Sequence, residues 1–140
     1  MPSSLTIPSA TRHLAKVRRF VTANAAEAGL EATVVDALRL AVDEACANAI
    51  RHAYGGREDG LVTVETQHEV DRFLVIIRHT GLPFNEEAYN PIPLAEALRR
   101  RRRGGFGVVL MNRLVDHVEY RQRGNVSEVR LVKQLSGGAA

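Results

Sequence analysis

The chain has 140 residues and a formal net charge of +3, with 45% hydrophobic and 25% charged residues. That length suits one domain with a substantial core, and no apolar run approaches the roughly 20 residues that span a bilayer. The N-terminus lacks the basic-then-apolar order of a secretory signal, and a single cysteine, Cys46, cannot form an internal disulfide. We therefore expect a cytoplasmic protein without membrane association.

The first third of the chain predicts a strand followed by two helices. "LTIP" is typical of a short strand, and apolar residues then recur at helical spacing from Leu14 to Val21. Gly29 suits the end of that helix. The Thr33 hydroxyl is expected to cap a second helix, long and mostly apolar, which runs to the two glycines of "AYGG".

The rest of the chain predicts two hairpins separated by a loop and a helix. "GLVTVETQHE" and "RFLVIIRHTG" pair around a turn near Val70 and Asp71, and "HVEYRQRGNVSEVRLVKQL" forms two strands around "RGN". Between them lie a proline-containing connection and the glycine-opened helix "GGFGVVLMNRLVDHV". This order predicts an α+β fold, a two-layer sandwich whose mostly antiparallel sheet is covered on one face by helices.

The stretch "DEACANAIRHAY" places polar side chains on an otherwise apolar helix. Glu44 and Asn48 are four residues apart and share a face, with Arg51 and His52 one turn further on. A carboxylate can act as a general base, and a carboxamide oxygen can bind Mg²⁺. An ordinary amphipathic helix with a solvent-facing polar stripe explains the pattern equally well, and Cys46 is expected to be a small buried side chain.

Glycines mark two further places along the chain. Gly81 follows the strand of "RHTGLPFN", where it would allow a flat ligand to approach the backbone or simply make the turn. Gly104, Gly105 and Gly107 precede an apolar helix, and backbone N–H groups there suit a polyphosphate. A flexible loop that ends in a helix cap is the alternative interpretation.

The order and spacing of these motifs resemble the GHKL ATPase superfamily, and within it the small anti-sigma factor serine/threonine kinases of the RsbW and SpoIIAB type. The resemblance runs from "LTIP" to "VKQL" and implies the GHKL, or Bergerat, ATP-binding fold. Glu44 and Asn48 match the family's E-x-x-x-N box, which implies that Glu44 is the general base and Asn48 the Mg²⁺ ligand. Arg51 and His52 would flank the pocket.

The last glycine box is matched by residues that the resemblance places beside the phosphates of ATP: Gly104, Gly105, Phe106 and Gly107. The middle box of the family reads D-x-G, and its Asp accepts a hydrogen bond from the adenine amino group. Here Gly81 is in place, but His79 stands at the Asp position. A neutral imidazole offers one acceptor without charge, so adenine recognition is expected to weaken. Ser127 is aligned with a hydroxyl that the family often has near the base.

The five consecutive arginines at 99–103 fall in the family's ATP lid, which corresponds here to residues of about 85–103. They would attract triphosphate, form a solvated basic helix end, or contact an acidic protein or nucleic acid. Nucleic acid is disfavoured, since the chain has 5% aromatic residues and no recognisable nucleic-acid-binding motif. No histidine spacing is typical of a metal site.

The resemblance implies a single GHKL ATPase-like domain at 1–135 followed by a disordered tail at 136–140. It implies a serine/threonine kinase that binds Mg²⁺–ATP, sequesters a sigma factor as a homodimer and phosphorylates a STAS-type antagonist. His79 motivates the alternative, a regulator that keeps the fold but acts by protein contact with little or no ATP turnover.

Overall fold

The computed structural model describes residues 3–55, 57–80 and 113–135. The described strands are β1 (Ser3–Pro8), β2 (Leu61–His68), β3 (Arg72–His79), β4 (His117–Arg123) and β5 (Val126–Gln134). Between β1 and β2 lie a 3₁₀ turn (Thr11–His13), helix α1 (Leu14–Glu27), helix α2 (Ala32–Asn48) and a π-helical turn (Ala49–Ala53).

The described strands form one sheet in the order β1-β2-β3-β5-β4, and every neighbouring pair is antiparallel. Helix α1 packs on β1 and β2, α2 packs on β3 and β5, and the two helices contact each other. The predicted α+β sandwich is therefore confirmed. Both predicted hairpins are also present, and Gly124 turns between β4 and β5 with a positive φ of 57°.

The hydrophobic core lies between the helices and one face of the sheet. Alternate residues of β3 enter it, as do Val129 and Leu131 of β5 and the apolar stripe of α2. The largest fully buried side chain is Phe73 of β3. Strand β3 lies at the centre of this core, and its last residue, His79, is carried to the same face by the alternation of side chains.

The opposite face of the sheet buries Leu74 and Ile76 beneath charged side chains. The Arg78 guanidinium donates to Glu65 at 3.0 Å and to Glu128 at 2.9 Å. These charged side chains lie over Leu74 and Ile76, so both faces of β3 are buried. This explains why apolar and polar residues do not alternate in the "FLVII" run, as they would in a strand with one solvent-exposed face.

Two predicted element boundaries were wrong. Helix α2 begins at Ala32, with Glu31 as its extended N-cap, and no side chain caps it, so Thr33 lies inside the first turn. The first intrahelical bond runs from Val35 N to Glu31 O at 2.9 Å. Regular α-helix ends at Asn48, where the chain widens into a π-helical turn, a feature that is frequent at functional sites.

No helix among the described residues is long and apolar enough to cross a membrane.

Candidate active site

The candidate site lies where the C-terminal end of α2 meets the end of β3 and the start of β5. Glu44 and Asn48 project from α2, and Arg51 lies on the π-helical turn. His79 and Ser127 are cross-strand partners on β3 and β5. The fold thus brings polar residues from distant parts of the sequence to one end of the sheet.

Glu44 is half-buried on α2, and its surroundings change the pKa of its carboxyl. Burial raises the pKa of the Glu44 carboxyl above its ordinary 4.5, the Arg51 guanidinium opposes that rise, and Asp43 adds to it. Asp43 itself accepts a hydrogen bond from Arg18 of α1 at 2.7 Å. A carboxylate whose pKa is raised takes a proton more readily near neutral pH than an exposed one does. The ionised form, which alone could act as a base, is lost as pH falls through the raised pKa.

Asn48 is buried, and its amide is only partly satisfied. Its Oδ1 accepts a hydrogen bond from a terminal nitrogen of Arg51 at 2.7 Å, whereas its Nδ2 has no hydrogen-bond partner within the described ranges. A carbonyl oxygen carries two lone pairs, so Oδ1 has capacity for one more ligand. An unsatisfied buried N–H costs about 1–3 kcal/mol, which a ligand acceptor would relieve. Asn48 therefore fits a pocket for a hard cation and a polar ligand.

His79 is buried at the end of β3 and keeps its neutral form. Burial lowers the pKa of the imidazole below its ordinary 6.5. The neutral ring carries one unprotonated nitrogen, which is able to accept a hydrogen bond. Because the folded state disfavours the imidazolium, this site stabilises the fold above pH 6.5 and loses that contribution as pH falls through the lowered pKa.

Tyr54 joins the helix end to the strand end, and the sequence analysis missed it. Its hydroxyl donates to the Leu61 carbonyl oxygen at 2.6 Å and accepts from the Thr80 backbone N–H at 3.0 Å. Its ring lies edge-on to the His79 imidazole, with centroids 6.0 Å apart and an interplanar angle of 69°. The only signal in the sequence was an aromatic residue at the end of the polar helical stretch.

Ser127 lies opposite His79 and is fully buried, but its hydroxyl donates to Gln122 Oε1 at 2.5 Å. Cys46 is buried in α2, and burial raises the pKa of its thiol to about 12, which makes it a poor nucleophile. Within the described part of the chain, no three His, Cys, Asp or Glu side chains converge on a metal-sized position.

The remaining predicted site residues cannot be placed. The residues outside the described part of the chain are Gly81, Gly104, Gly105, Phe106 and Gly107. The lid with its five arginines at 99–103 also lies outside it. The same applies to the side chain of His52. Of the predicted set, the structure brings Glu44, Asn48 and Arg51 together on one helix end, with His79 and Ser127 on the adjoining strands.

Comparison with known proteins relates this chain to one domain family and to several named kinases. Residues 7–133 match the histidine kinase-like ATPase domain. The serine-protein kinase RsbW of Bacillus pumilus is 32% identical over 136 residues, which cover 93% of this chain and 83% of that protein. RsbW of Listeria innocua is 30% identical over 120 residues, which cover 83% of this chain and 76% of the relative.

Among solved structures, the RsbU and RsbW domains of Rv1364c from Mycobacterium tuberculosis share the fold with a TM-score of 0.68 at 16% identity. The alignment covers 96% of this chain and 32% of that longer protein, so the present chain spans about a third of its length. The match supports the same architecture for the strands and helices described above.

Proposed function

The chain belongs to the RsbW family of serine-protein kinases, built on the histidine kinase-like ATPase domain, and we propose that residues 1–135 form one Mg²⁺–ATP-binding domain that phosphorylates a protein antagonist of a sigma factor. It is an anti-sigma factor kinase by family. The observation that carries the proposed site is the pairing of half-buried Glu44 with buried Asn48, one helical turn apart on α2.

In the proposed reaction, the hydroxyl oxygen of a Ser or Thr in the partner attacks the γ-phosphorus of ATP. The bond from that phosphorus to the β,γ-bridging oxygen breaks, ADP leaves, and the Glu44 carboxylate takes the hydroxyl proton. Burial favours this role, because the raised pKa of Glu44 makes it a stronger base than an exposed carboxylate.

Asn48 would hold Mg²⁺ through Oδ1, and the bound ion would neutralise charge on the phosphates. The Arg51 guanidinium fixes the orientation of the Asn48 amide, so that Nδ2 faces away from Arg51. His79 would accept a hydrogen bond from the adenine amino group, and Gly81 would let the base approach the backbone. The box from Gly104 to Gly107 would supply N–H donors to the phosphates. The arginines at 99–103 would face the triphosphate from the lid.

The partners proposed for the kinase are a sigma factor, which it sequesters, and a STAS-domain antagonist, which it phosphorylates. A phosphotransfer assay tests this directly. Radiolabelled ATP, Mg²⁺ and a STAS-domain protein from the same organism should give a phosphoprotein, and replacement of one Ser or Thr of that substrate by Ala should abolish labelling. If the kinase holds its sigma factor equally well without nucleotide and labels no substrate, it regulates by contact alone, the alternative that His79 motivates.

A homodimer is part of the proposal, and the sheet face opposite the two described helices has a charge pattern that suits it. One end of that face carries four arginines around Glu128, which pairs with two of them: Arg78, Arg121, Arg123 and Arg130. The other end carries three acidic residues, Glu69, Asp71 and Glu119, beside Arg72, which pairs with Glu69. A two-fold axis through the centre of the face would place the basic end of each copy on the acidic end of its partner.

Charge reversal tests the proposed dimer. Replacing Arg121 and Arg123 together with Glu should convert a dimer into a monomer at low salt, because two attractive contacts per copy become repulsive. Sedimentation equilibrium measures the change. The variant Arg12→Glu, on a different surface next to Glu58, should leave the dimer intact. A wild-type protein that stays monomeric over about a 100-fold range of concentration up to the millimolar range would contradict the proposed dimer. It would leave the proposed kinase activity unaffected.

The substitution His79→Asp tests the assignment of the adenine contact. A carboxylate acceptor is worth about 1.5–3 kcal/mol in a buried hydrogen bond, so ATP affinity should rise about tenfold to hundredfold. Calorimetric titration of both proteins with ATP at pH 7.5 gives the comparison. Affinity that is unchanged or lower in a variant with an unaltered melting temperature would remove His79 from the base site.

A further inference from the structure

A contact that no proposed role yet explains joins Tyr54 to the strand end that carries His79. We propose that Tyr54 is a positioning residue for the base-binding segment, since it holds the backbone at Thr80 and the His79 ring in fixed places. The inference rests on the proposed nucleotide site and adds a residue to it that neither the family motifs nor the sequence patterns assign.

The Tyr54 hydroxyl uses both of its hydrogen-bonding functions on backbone. It donates to the Leu61 carbonyl at the start of β2 and accepts from the Thr80 N–H just after β3. β2 and β3 are neighbours, with Val62 opposite His79. The hydroxyl therefore links two strand ends at the point where the ladder between β2 and β3 stops. It takes the place of a ladder hydrogen bond between the Thr80 N–H and the Leu61 carbonyl oxygen.

The Tyr54 ring is held from two sides. It lies edge-on to His79, and the phenol is buried with 5% of its surface exposed. On the other side, a Cβ added at Gly60 would lie 2.3 Å from Tyr54 Cε1. Only a glycine at position 60 leaves room for the ring in its present place. The loop before β2 therefore also restricts the position of the Tyr54 ring.

These contacts connect the end of α2, which carries Glu44 and Asn48, to the segment at His79 that is proposed to bind adenine. Tyr54 directly follows the π-helical turn, which begins after Asn48 and contains Arg51, and its hydroxyl accepts a hydrogen bond from the Thr80 N–H next to His79. A phenol at this position sets the spacing between the phosphate end of the pocket, on α2, and its base end, on β3. Loosening it should therefore weaken binding of the base more than binding of the phosphates.

The test is Tyr54→Phe, which keeps the ring and removes both hydrogen bonds. The dissociation constant for Mg²⁺–ATP should rise about threefold to tenfold, whereas the inhibition constant of Mg²⁺–tripolyphosphate, measured by displacement of a fluorescent ATP analogue, should change less than twofold. Hydrogen exchange of the Thr80 amide should accelerate at least tenfold, with Val75 in the middle of β3 unchanged. Gly60→Ala, which displaces the ring, should weaken ATP binding in the same direction.

Thr66→Val is the matched control. It also removes one buried hydroxyl from the sheet, but five residues along β2 from Leu61 at the strand end, and it should change the affinity for neither ligand. Equal weakening of ATP and tripolyphosphate by Tyr54→Phe, or unaltered Thr80 exchange, would overturn the positioning role. Wild-type protein that binds neither ligand would overturn the proposed nucleotide site itself, so the two failures are distinguishable.

Discussion

Replacing Glu44 with Gln should lower the rate of phosphotransfer about 10²-fold to 10⁴-fold while changing the affinity for ATP less than about threefold. Gln preserves the shape of the side chain and its place on α2, but it cannot accept the hydroxyl proton. Binding of ATP does not require that proton transfer, so the loss should lie in kcat. Single-turnover measurement with saturating antagonist separates the two quantities.

The neighbouring Asp43 supplies the control for charge. Asp43→Asn removes an equal charge one residue away, in a side chain that pairs with Arg18 of α1, and should reduce the rate less than about threefold. The wild-type rate should fall on the acid side with a pKa above 4.5, because burial raises the pKa of Glu44, and this limb should vanish from the residual activity of Glu44→Gln. A Glu44→Gln protein with full activity would remove Glu44 from the mechanism.

The second large effect is expected at Asn48. Asn48→Ala should weaken Mg²⁺–ATP binding about tenfold to hundredfold, as expected for the loss of an interaction with a charged group worth about 1.5–3 kcal/mol. It should also abolish the difference between titrations with and without Mg²⁺. The fold should tolerate the change, because the Arg51 guanidinium is exposed and can hydrate, and because the substitution removes the buried Nδ2 that lacks a partner among the described residues.

Asn24→Ala is the matched control for Asn48→Ala. Asn24 donates from Nδ2 to the Phe20 carbonyl oxygen within α1, away from the candidate site. This variant should retain both the ATP affinity and the Mg²⁺ dependence of the wild type. An Asn48→Ala protein that kept the wild-type Mg²⁺ dependence, with a melting curve like that of the control, would show that another group holds the ion.

Local patterns were sufficient to predict the described strands and the two described α-helices. The stop at Gly29, with a φ of 85°, and the turn at Gly124 both need a residue that accepts positive φ, and the apolar spacing defined α1 and α2. The i,i+4 relation of Glu44 and Asn48 was equally local. The start of α2 was wrong because Thr33 has the residue type of a cap, but the backbone turns two residues earlier, at Glu31.

Long-range contacts could not be predicted from local patterns. Tyr54 meets Leu61 and Thr80 only after β2 and β3 have paired, and nothing in the spacing of "IRHAYGG" reports those partners. The burial of Leu74 and Ile76 likewise depends on Arg78 reaching Glu65 and Glu128 across two neighbouring strands. The hydrogen bond from Arg51 to Asn48 lies within one helical turn, but the burial of the Asn48 amide depends on the folded chain around it.

If this helix end binds Mg²⁺–ATP, calorimetric titration of the wild-type protein with ATP near pH 7.5, with and without Mg²⁺, should show saturable binding of one nucleotide per chain. Mg²⁺ should strengthen that binding. Absence of binding at millimolar ATP, in a protein with a cooperative melting transition, would contradict it and leave a family member whose pocket has lost its nucleotide.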